Sequence, residues 1–292
     1  MTTRAGRIAV VGRPNAGKST LLNRLVGQKL AITSPRPQST RKRVTGILTT
    51  DDTQLVFVDT PGLMDPSYQL QRAMRHEALS SIQDADAVVY LVDATSSVED
   101  FSTVVPPADR GNAPVLMVLN KTDRLPQPAL DDLRRRFPDA IAVSALTGEG
   151  LDDLVVSLRS VVPESPFIHD AEDASTDSMR FFVTEAIREA AFEQLEEELP
   201  YAVTSEIEEY LEERTPIYIR ATVYVERESQ KRILVGKGGG QIRDLGKAAR
   251  EKIELLTGAP VYLDLWIKVL HNWRRHPAAL HRFGFSLPED AS

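Results

Sequence analysis

The sequence predicts two domains. The first is an open, mixed but mostly parallel α/β sheet with helices on both faces, and the second is a smaller α+β domain. Three observations carry this. An apolar run, Ile8 to Val11, leads into Gly12-Arg13-Pro14-Asn15-Ala16-Gly17-Lys18-Ser19 and then into an amphipathic stretch from Thr20 to Leu25. Strand, GxxxxGK[ST], helix is the context that makes this pattern a phosphate-binding loop, or P-loop. Apolar strands then alternate with helical stretches as far as Val162, with one early hairpin, which places a ligand at the carboxyl ends of the strands. Beyond a linker the order becomes α-β-β-α-α-β, with Gly236-Lys237-Gly238-Gly239 between two helices. The expected division is residues 1–165, a linker over 166–178, and a second domain over 179–285 with a C-terminal helix and a tail to 292.

Composition sets the frame. A chain of 292 residues with 42% hydrophobic and 26% charged residues has the makings of one large or two ordinary globular domains. Cysteine is absent, so there is no disulfide framework and no thiolate chemistry. No apolar run approaches the roughly 18 residues of a membrane span. Met1 to Arg7 lead into the first strand without a signal-peptide core, so a cytoplasmic protein is expected. The net charge of −7 argues against a generally basic nucleic-acid binder, yet the charge is unevenly spread. Residues 189–213 hold ten glutamates and no Lys or Arg, whereas residues 214–283 hold 14 Lys or Arg against six Asp or Glu.

At the P-loop, glycines let the main chain wrap a phosphate chain and turn successive N–H groups inward, and the following helix adds its positive end. Gly12, Asn15, Ala16, Gly17, Lys18, Ser19 and Thr20 are the candidate phosphate contacts. Lys18 would reach the β and γ phosphates, and the Ser19 hydroxyl would ligate Mg2+. Thr33 to Arg41 follow with two prolines and four hydroxyl side chains, a loop placed where a nucleotide-sensing switch would sit. Val44–Thr50 and 54–58 read as a hairpin, and the second strand ends at Asp59-Thr60-Pro61-Gly62. A carboxylate at the end of a buried strand has no packing reason to be there. It suits the outer shell of Mg2+, and Gly62 can bring its N–H against a γ-phosphate.

Residues 63–82 pass from loop into a helix with Leu70, Met74, Ala78 and Ile82 at helical spacing, read as helix core. The unbroken apolar run Ala87–Asp93 is a buried strand. Between Ala94 and Ala113 the pair Pro106-Pro107 breaks any long helix. Another buried strand, Val115–Leu119, delivers Asn120-Lys121-Thr122-Asp123. A carboxylate such as Asp123 can accept from both the ring N–H and the amino group of guanine, a donor pair that adenine lacks. Asn120 is expected to brace the loop and meet the base edge, and the Lys121 stem to lie along the ring. The next strand ends in Ser144-Ala145-Leu146, whose tip would offer the Ala145 N–H to guanine O6. Gly150 to Val162 is an amphipathic helix.

The second domain opens with a helix over 181–195, strands from Val203 and over 217–225, the glycine tetrapeptide, a helix to Leu256 and a strand over 260–269. A GxxG turn between two helices is the backbone clamp of a KH domain, gripping about four nucleotides of single-stranded RNA. Gly236, Lys237, Gly238 and Gly239 form it, with Lys231, Arg232, Arg243, Lys247 and Arg250 adding positive charge. Trp266 alternates with Leu265 and Ile267 and is expected in the core rather than as a stacking platform, while Trp273 is open to either role. The glutamate run is expected to be a solvated helix and strand face, not a metal site.

These motifs, in this order, resemble the Era family of bacterial GTPases over nearly the whole chain: the P-loop, Gln38-Ser39-Thr40-Arg41, DTPG, NKTD, SAL, LPYAVTSEIEEY, the glycine clamp and VYLDLWIKV. The resemblance implies a P-loop GTPase domain followed by a type II KH domain. It also implies a GTPase, taking GTP and GDP as ligands, that assists assembly of the small ribosomal subunit by binding the 3′ end of 16S rRNA. Peripheral contact with the cytoplasmic face of the cell membrane is implied too, and the chain is expected to be a monomer. Within the switch segments Ser39, Thr40, Asp59, Thr60, Pro61, Gly62 and Leu63, the resemblance points to Thr40 as the Mg2+-sensing hydroxyl, with Ser39 beside it as the alternative. In Ras-like proteins a glutamine follows the DxxG glycine and orients water. Here that position is Leu63, so slow hydrolysis is expected. Asn15 occupies the position that holds a monovalent cation in potassium-stimulated relatives, making K+ a candidate second cation. Two other readings stand beside this one: a constitutive RNA-binding adaptor with a structurally bound guanine nucleotide, and a GTPase of RNA modification, which would ordinarily need cysteine or a cofactor domain.

Overall fold

The computed structural model describes residues 2–288; the last part of the expected tail, residues 289–292, lies outside the described residues. The chain forms two compact units, one over residues up to 176 apart from 68–70, the other over 177–287 together with 68–70.

The first unit contains β1 (Arg4–Val11), α1 (Lys18–Val26), β2 (Val44–Thr49), β3 (Thr53–Asp59), α2 (Gln69–Gln83), of which the first two residues group with the second unit, and β4 (Ala87–Asp93). It continues with a single helical turn α3 (Phe101–Val104), β5 (Val115–Asn120), α4 (Gln127–Arg136), a two-residue β6 (Ile141–Ala142) and α5 (Leu151–Val161). The six strands lie in the order β2-β3-β1-β4-β5-β6. Only β2 and β3 run antiparallel. The middle of the sheet is apolar on both faces: Ile8 to Val11 of β1 and Ala87 to Leu91 of β4 are all buried. Every parallel strand ends on the same edge, so Val11, Asp59, Asp93 and Asn120 share one rim. The double proline leaves only α3 and a 3-10 turn, Pro107–Asp109, between β4 and β5.

The segment after α5 follows the sheet edge. Gln54, fully buried, accepts from the N–H groups of Ile168 and His169 through Oε1 and donates Nε2 to the His169 carbonyl. Further on, Ile47 N–H donates to the Ala174 carbonyl and Ser175 Oγ to the Thr45 carbonyl. The outer edge of β2 is thereby covered by main chain, which removes an exposed edge strand.

The second unit contains α6 (Met179–Gln194), one turn α7 (Leu199–Ala202), β7 (Thr204–Leu211), β8 (Ile217–Val225), α8 (Glu228–Val235), α9 (Gly240–Thr257), β9 (Val261–Val269) and α10 (Pro277–Arg282). Its sheet has the order β7-β8-β9, with β7 antiparallel and β9 parallel to the central strand. Strand alternation sorts β8 into two faces. Ile217, Ile219, Ala221, Val223 and Val225 meet α6, α8 and α9 in one core, while Tyr218, Arg220, Thr222 and Tyr224 face the other way.

Two expectations are corrected here. Trp266 is not core: it is 56% exposed, because it belongs to the face of β9 turned away from the helices. Trp273 is the core residue, fully buried with Nε1 donating to the Ala202 carbonyl. Nor is the glutamate run simply a solvated face. Glu189 and Glu193 pair with Lys252, Glu206 with Arg282, Glu208 with Lys268 and Glu209 with Arg220. Acidic and basic blocks that are separate in sequence become neighbours across the sheet and helices. No acidic cluster with metal-binding spacing occurs among the described residues.

Candidate guanine-nucleotide site and RNA clamp

The rim of the first sheet holds a cleft of about 440 Å3. Asn15, Gly17, Lys18, Ser19, Thr20, Ser39, Thr40, Gly62 and Lys121 line it. Gly17 takes φ 100°, and a Cβ there would lie 2.3 Å from Asn120 Nδ2, so only glycine lets the P-loop pass under that side chain. A Cβ on Gly62 would fall 2.8 Å from Pro14, and one on Gly12 would fall 2.2 Å from the Leu91 carbonyl. Ala16 is buried beneath the loop, with its N–H donated to Arg13 O. Lys18 Nζ lies across the loop, donating to the Gly12 and Arg13 carbonyls at 3.2 and 3.1 Å. Burial pushes its ammonium down to about 8, against the pull of Asp59.

Ser19, Thr40 and Asp59 form a triangle of oxygens. Ser19 Oγ donates to Asp59 Oδ2 at 2.7 Å, the two hydroxyls lie 2.9 Å apart, and Thr40 Oγ1 donates to the same carboxylate oxygen at 3.3 Å. Asp59 is fully buried, and its Oδ1 has no hydrogen-bond partner. Burial raises the carboxyl to about 6, and Lys18, Ser19 and Thr40 hold it from rising further. Two hydroxyls and an under-satisfied carboxylate are a hard-oxygen set that suits Mg2+. Of the two candidate switch hydroxyls, Thr40 is the one in this triangle. Thr60 is buried and serves β1, its hydroxyl donating to the Val10 carbonyl at 2.9 Å. Pro61 is buried beside it. Leu63 is 1% exposed, packed among Ala9, Val11 and Ala78, with its N–H on the Gly12 carbonyl. No polar side chain follows Gly62 to position water.

The base-recognition loops differ from expectation in one respect. Asn120 is buried, with Nδ2 donating to the Ala16 carbonyl and Oδ1 accepting from the Ala145 N–H. Both ends of the amide are used to tie three loops together, so Asn120 acts as a brace rather than at the base edge, and it also takes up the N–H expected to serve O6. Asp123 is exposed, with Oδ1 held by Ser144 Oγ at 2.6 Å. Ser144 is itself buried and fixes the carboxylate's direction. Leu146 is exposed and lies outside the residues lining the cleft. Sequence reasoning passed over Asp93. Its Oδ2 accepts from Lys121 Nζ at 2.5 Å while Oδ1 accepts from the Thr95 N–H and hydroxyl. Burial would raise its carboxyl, but these donors outweigh that and hold it below the ordinary value. Asp93 carries the same signal that exposed Asp59, a carboxylate closing a buried strand. Arg124, Ile32 and Gln38 also line the cleft; nothing in their local sequence marks them.

In the second unit, Gly236, Gly238 and Gly239 take φ values of 71°, 61° and 76°. A Cβ on Gly236 would press Gln241 at 2.8 Å, whereas Gly238 and Gly239 face open space. The turn therefore offers main chain unshielded by side chains, beside the N-terminus of α9. Lys231, Arg232, Lys237 and Arg243 form no ion pair among the described residues, while Lys247 and Arg250 sit within 4.0 Å of Glu251 and Glu254 one turn on. Free positive charge concentrates at the clamp because the rest of the basic block is paired.

This is a P-loop GTPase carrying a KH domain. The family model described as 50S ribosome-binding GTPase matches residues 7–121, and that of the KH domain matches residues 198–274. The GTPase Era of Halothermothrix orenii is 39% identical over 98% of this chain and 99% of its own length. That of Xanthomonas axonopodis pv. citri is 42% identical over 97% of each. Two solved Era structures are each 34% identical, with a TM-score of 0.89 over 98% of this chain and 100% of theirs: an Aquifex aeolicus Era variant bound to GDP and AlF4−, and Era in complex with MgGDPNP and nucleotides 1506–1542 of 16S ribosomal RNA. The chain belongs to the Era family of GTPases.

Proposed function

We propose that this GTPase couples its nucleotide state to binding of the 3′ end of 16S rRNA through the KH domain, and so assists assembly of the small ribosomal subunit. The Era structure that holds MgGDPNP and 16S nucleotides 1506–1542 supports this, as does the presence here of both the guanine cleft and a charged glycine clamp. The observation that carries the switch is the contact of Thr40 with Ser19 and Asp59. It ties the loop before β2 to the P-loop through the same oxygens that suit Mg2+. Mg2+ bound there would neutralise charge building on the phosphates. Lys18 would hold the β and γ phosphates, and Asp123, aimed by Ser144, would select guanine. Buried Leu63 supports slow turnover awaiting an accelerating partner. The test is RNA affinity with a non-hydrolysable GTP analogue against GDP: a difference is expected, and equal affinities would refute the coupling.

Leu63 also favours a second reading, an RNA adaptor whose guanine nucleotide is structural. Multiple-turnover phosphate release with and without small subunits separates the two, the adaptor giving none in either case. For K+, Asn15 lines the cleft with Nδ2 fixed on the Pro35 carbonyl at 2.9 Å, a posture that leaves its Oδ1 for a cation. Hydrolysis should be faster in K+ than in Na+, with the difference lost in Asn15→Ala. A cytoplasmic protein, monomeric and in peripheral contact with the membrane, rests on the family resemblance; no helix among the described residues is long and apolar enough to cross a bilayer. Fractionation of cells and sedimentation of the purified protein test these points.

A further inference from the structure

The face of the KH-domain sheet turned away from its helices has an aromatic patch that the clamp does not use. Tyr262 and Trp266 stand on β9, each 56% exposed. Tyr262 stacks on Tyr218 of β8, with ring centroids 5.8 Å apart and planes 11° from parallel. Trp266 Nε1 donates to Asp264 Oδ2 at 3.1 Å, which fixes the indole edge and leaves a ring face to solvent. The C-terminal segment covers the neighbouring part of this face, where Phe283 and Arg282 lie against Tyr224. It stops short of Trp266.

We infer that Trp266, with Tyr262 beyond it, is a stacking platform for bases of single-stranded RNA that run past the glycine clamp. The inference rests on the reading of the second unit as an RNA-binding KH domain. Two observations link the platform to the clamp. β9 is an edge strand of its sheet, so nothing is paired against its outer side. In addition, a Cβ on Gly246 of α9 would lie 3.5 Å from Leu265 Cδ1, which registers α9 on β9. Gly240, at the clamp, is six residues earlier, about 9 Å along the helix. Because β9 runs antiparallel to α9, the clamp lies toward the Trp266 end of the strand. A chain leaving the clamp can turn over the strand edge onto Trp266 and then Tyr262, about 13 Å farther.

The charges of this face decide what it holds. Arg220 pairs with Glu209 and Asp264, Lys268 with Glu208, and Arg282 with Glu206. No free cation remains there for phosphate. The platform would therefore add affinity by stacking, which every base can provide, while phosphates stay with Lys231, Arg232, Lys237 and Arg243. That division predicts a contribution insensitive to salt, unlike that of the clamp.

The two tryptophans make the test direct, since Trp273 is fully buried and Trp266 is not. The probes are single-stranded RNAs drawn from the 16S 3′ segment: one of about four nucleotides, which fills only the clamp, and one of about twelve. Trp266→Ala should weaken the longer RNA roughly 5- to 150-fold and leave the shorter one unchanged. The slope of affinity against salt should stay as in the wild type, and Trp266→Phe should restore most of the loss. In Trp273→Phe the longer RNA should still quench the remaining emission. Gly238→Asp should lose both RNAs; if the wild type binds neither, the KH reading fails and this inference with it. If the wild type binds both and Trp266→Ala matches it, or emission is unmoved by the longer RNA, the platform is wrong and the face is left to a protein partner.

Discussion

Asp59 is held under opposing demands. A metal site needs its carboxylate charged, yet its full burial favours the neutral form and lifts it to about 6. A carboxyl raised above its unfolded value stabilises the fold at pH below about 4, and that contribution is lost as pH rises through about 6. In nucleotide-free, metal-free protein the cost above pH 6 is on the order of 3 kcal/mol. Asp59→Asn should therefore resist urea better than wild type at pH 7.5 and no better at pH 5, while Mg2+-dependent hydrolysis is lost. Equal gains at both pH values would refute the assignment. Asp123 offers a second residue-scale test. Replacing it with Asn loses two charged hydrogen bonds to guanine, worth together about 10²- to 10⁴-fold in GDP affinity. Xanthosine nucleotides, which present an oxygen where guanine has its amino group, should gain. Calorimetric titration of both nucleotides reads the exchange.

The loop that enters β2 and the turn between α8 and α9 are the elements that should respond to ligand. In the first, Thr40→Ala should abolish the nucleotide-dependent change and most hydrolysis, while Ser39→Ala should leave both near wild type, because only Thr40 reaches Asp59. Single-turnover hydrolysis of both variants decides between the two hydroxyls. In the second, Gly238→Asp places its side chain in open space, so the domain should fold at a cost of about 1 kcal/mol for the left-handed backbone. It should lose RNA with GDP affinity unchanged. Lys231→Ala and Lys237→Ala should each lower the slope of RNA affinity against salt by about 0.7. Lys247→Ala should lower it less, since Glu251 already accompanies that charge.

At the scale of the whole molecule, nucleotide and RNA sites in different units can communicate only through a free-energy coupling, and such coupling is reciprocal. Whatever factor a GTP analogue adds to RNA affinity, the RNA must add to affinity for the analogue. Measuring both arms checks the coupling without assuming any geometry, and unequal factors would show that the two titrations do not report the same two states. The uneven charge of the chain also has its explanation at this scale. A net charge of −7 coexists with RNA binding because the acidic run is spent on Lys252, Arg282, Lys268 and Arg220.

The sequence by itself determined the chemistry: phosphate cradle, guanine selection, Mg2+ oxygens and RNA clamp. Each rests on a short run of residues whose spacing along the chain is also its spacing in space. It determined the order of strands and helices for the same reason, since periodicity is local. What only the tertiary structure decided are relations between distant segments. That Asn120 braces the P-loop instead of facing the base, that Asp93 steadies Lys121, and that Gln54 holds the chain after α5 to the sheet edge all depend on partners 28 to 115 residues away. The roles of Trp266 and Trp273 depended on which face of a strand a helix covers. Alternation puts Trp266 opposite Leu265 without saying which side is dry, and packing of α9 against Leu265 settled it.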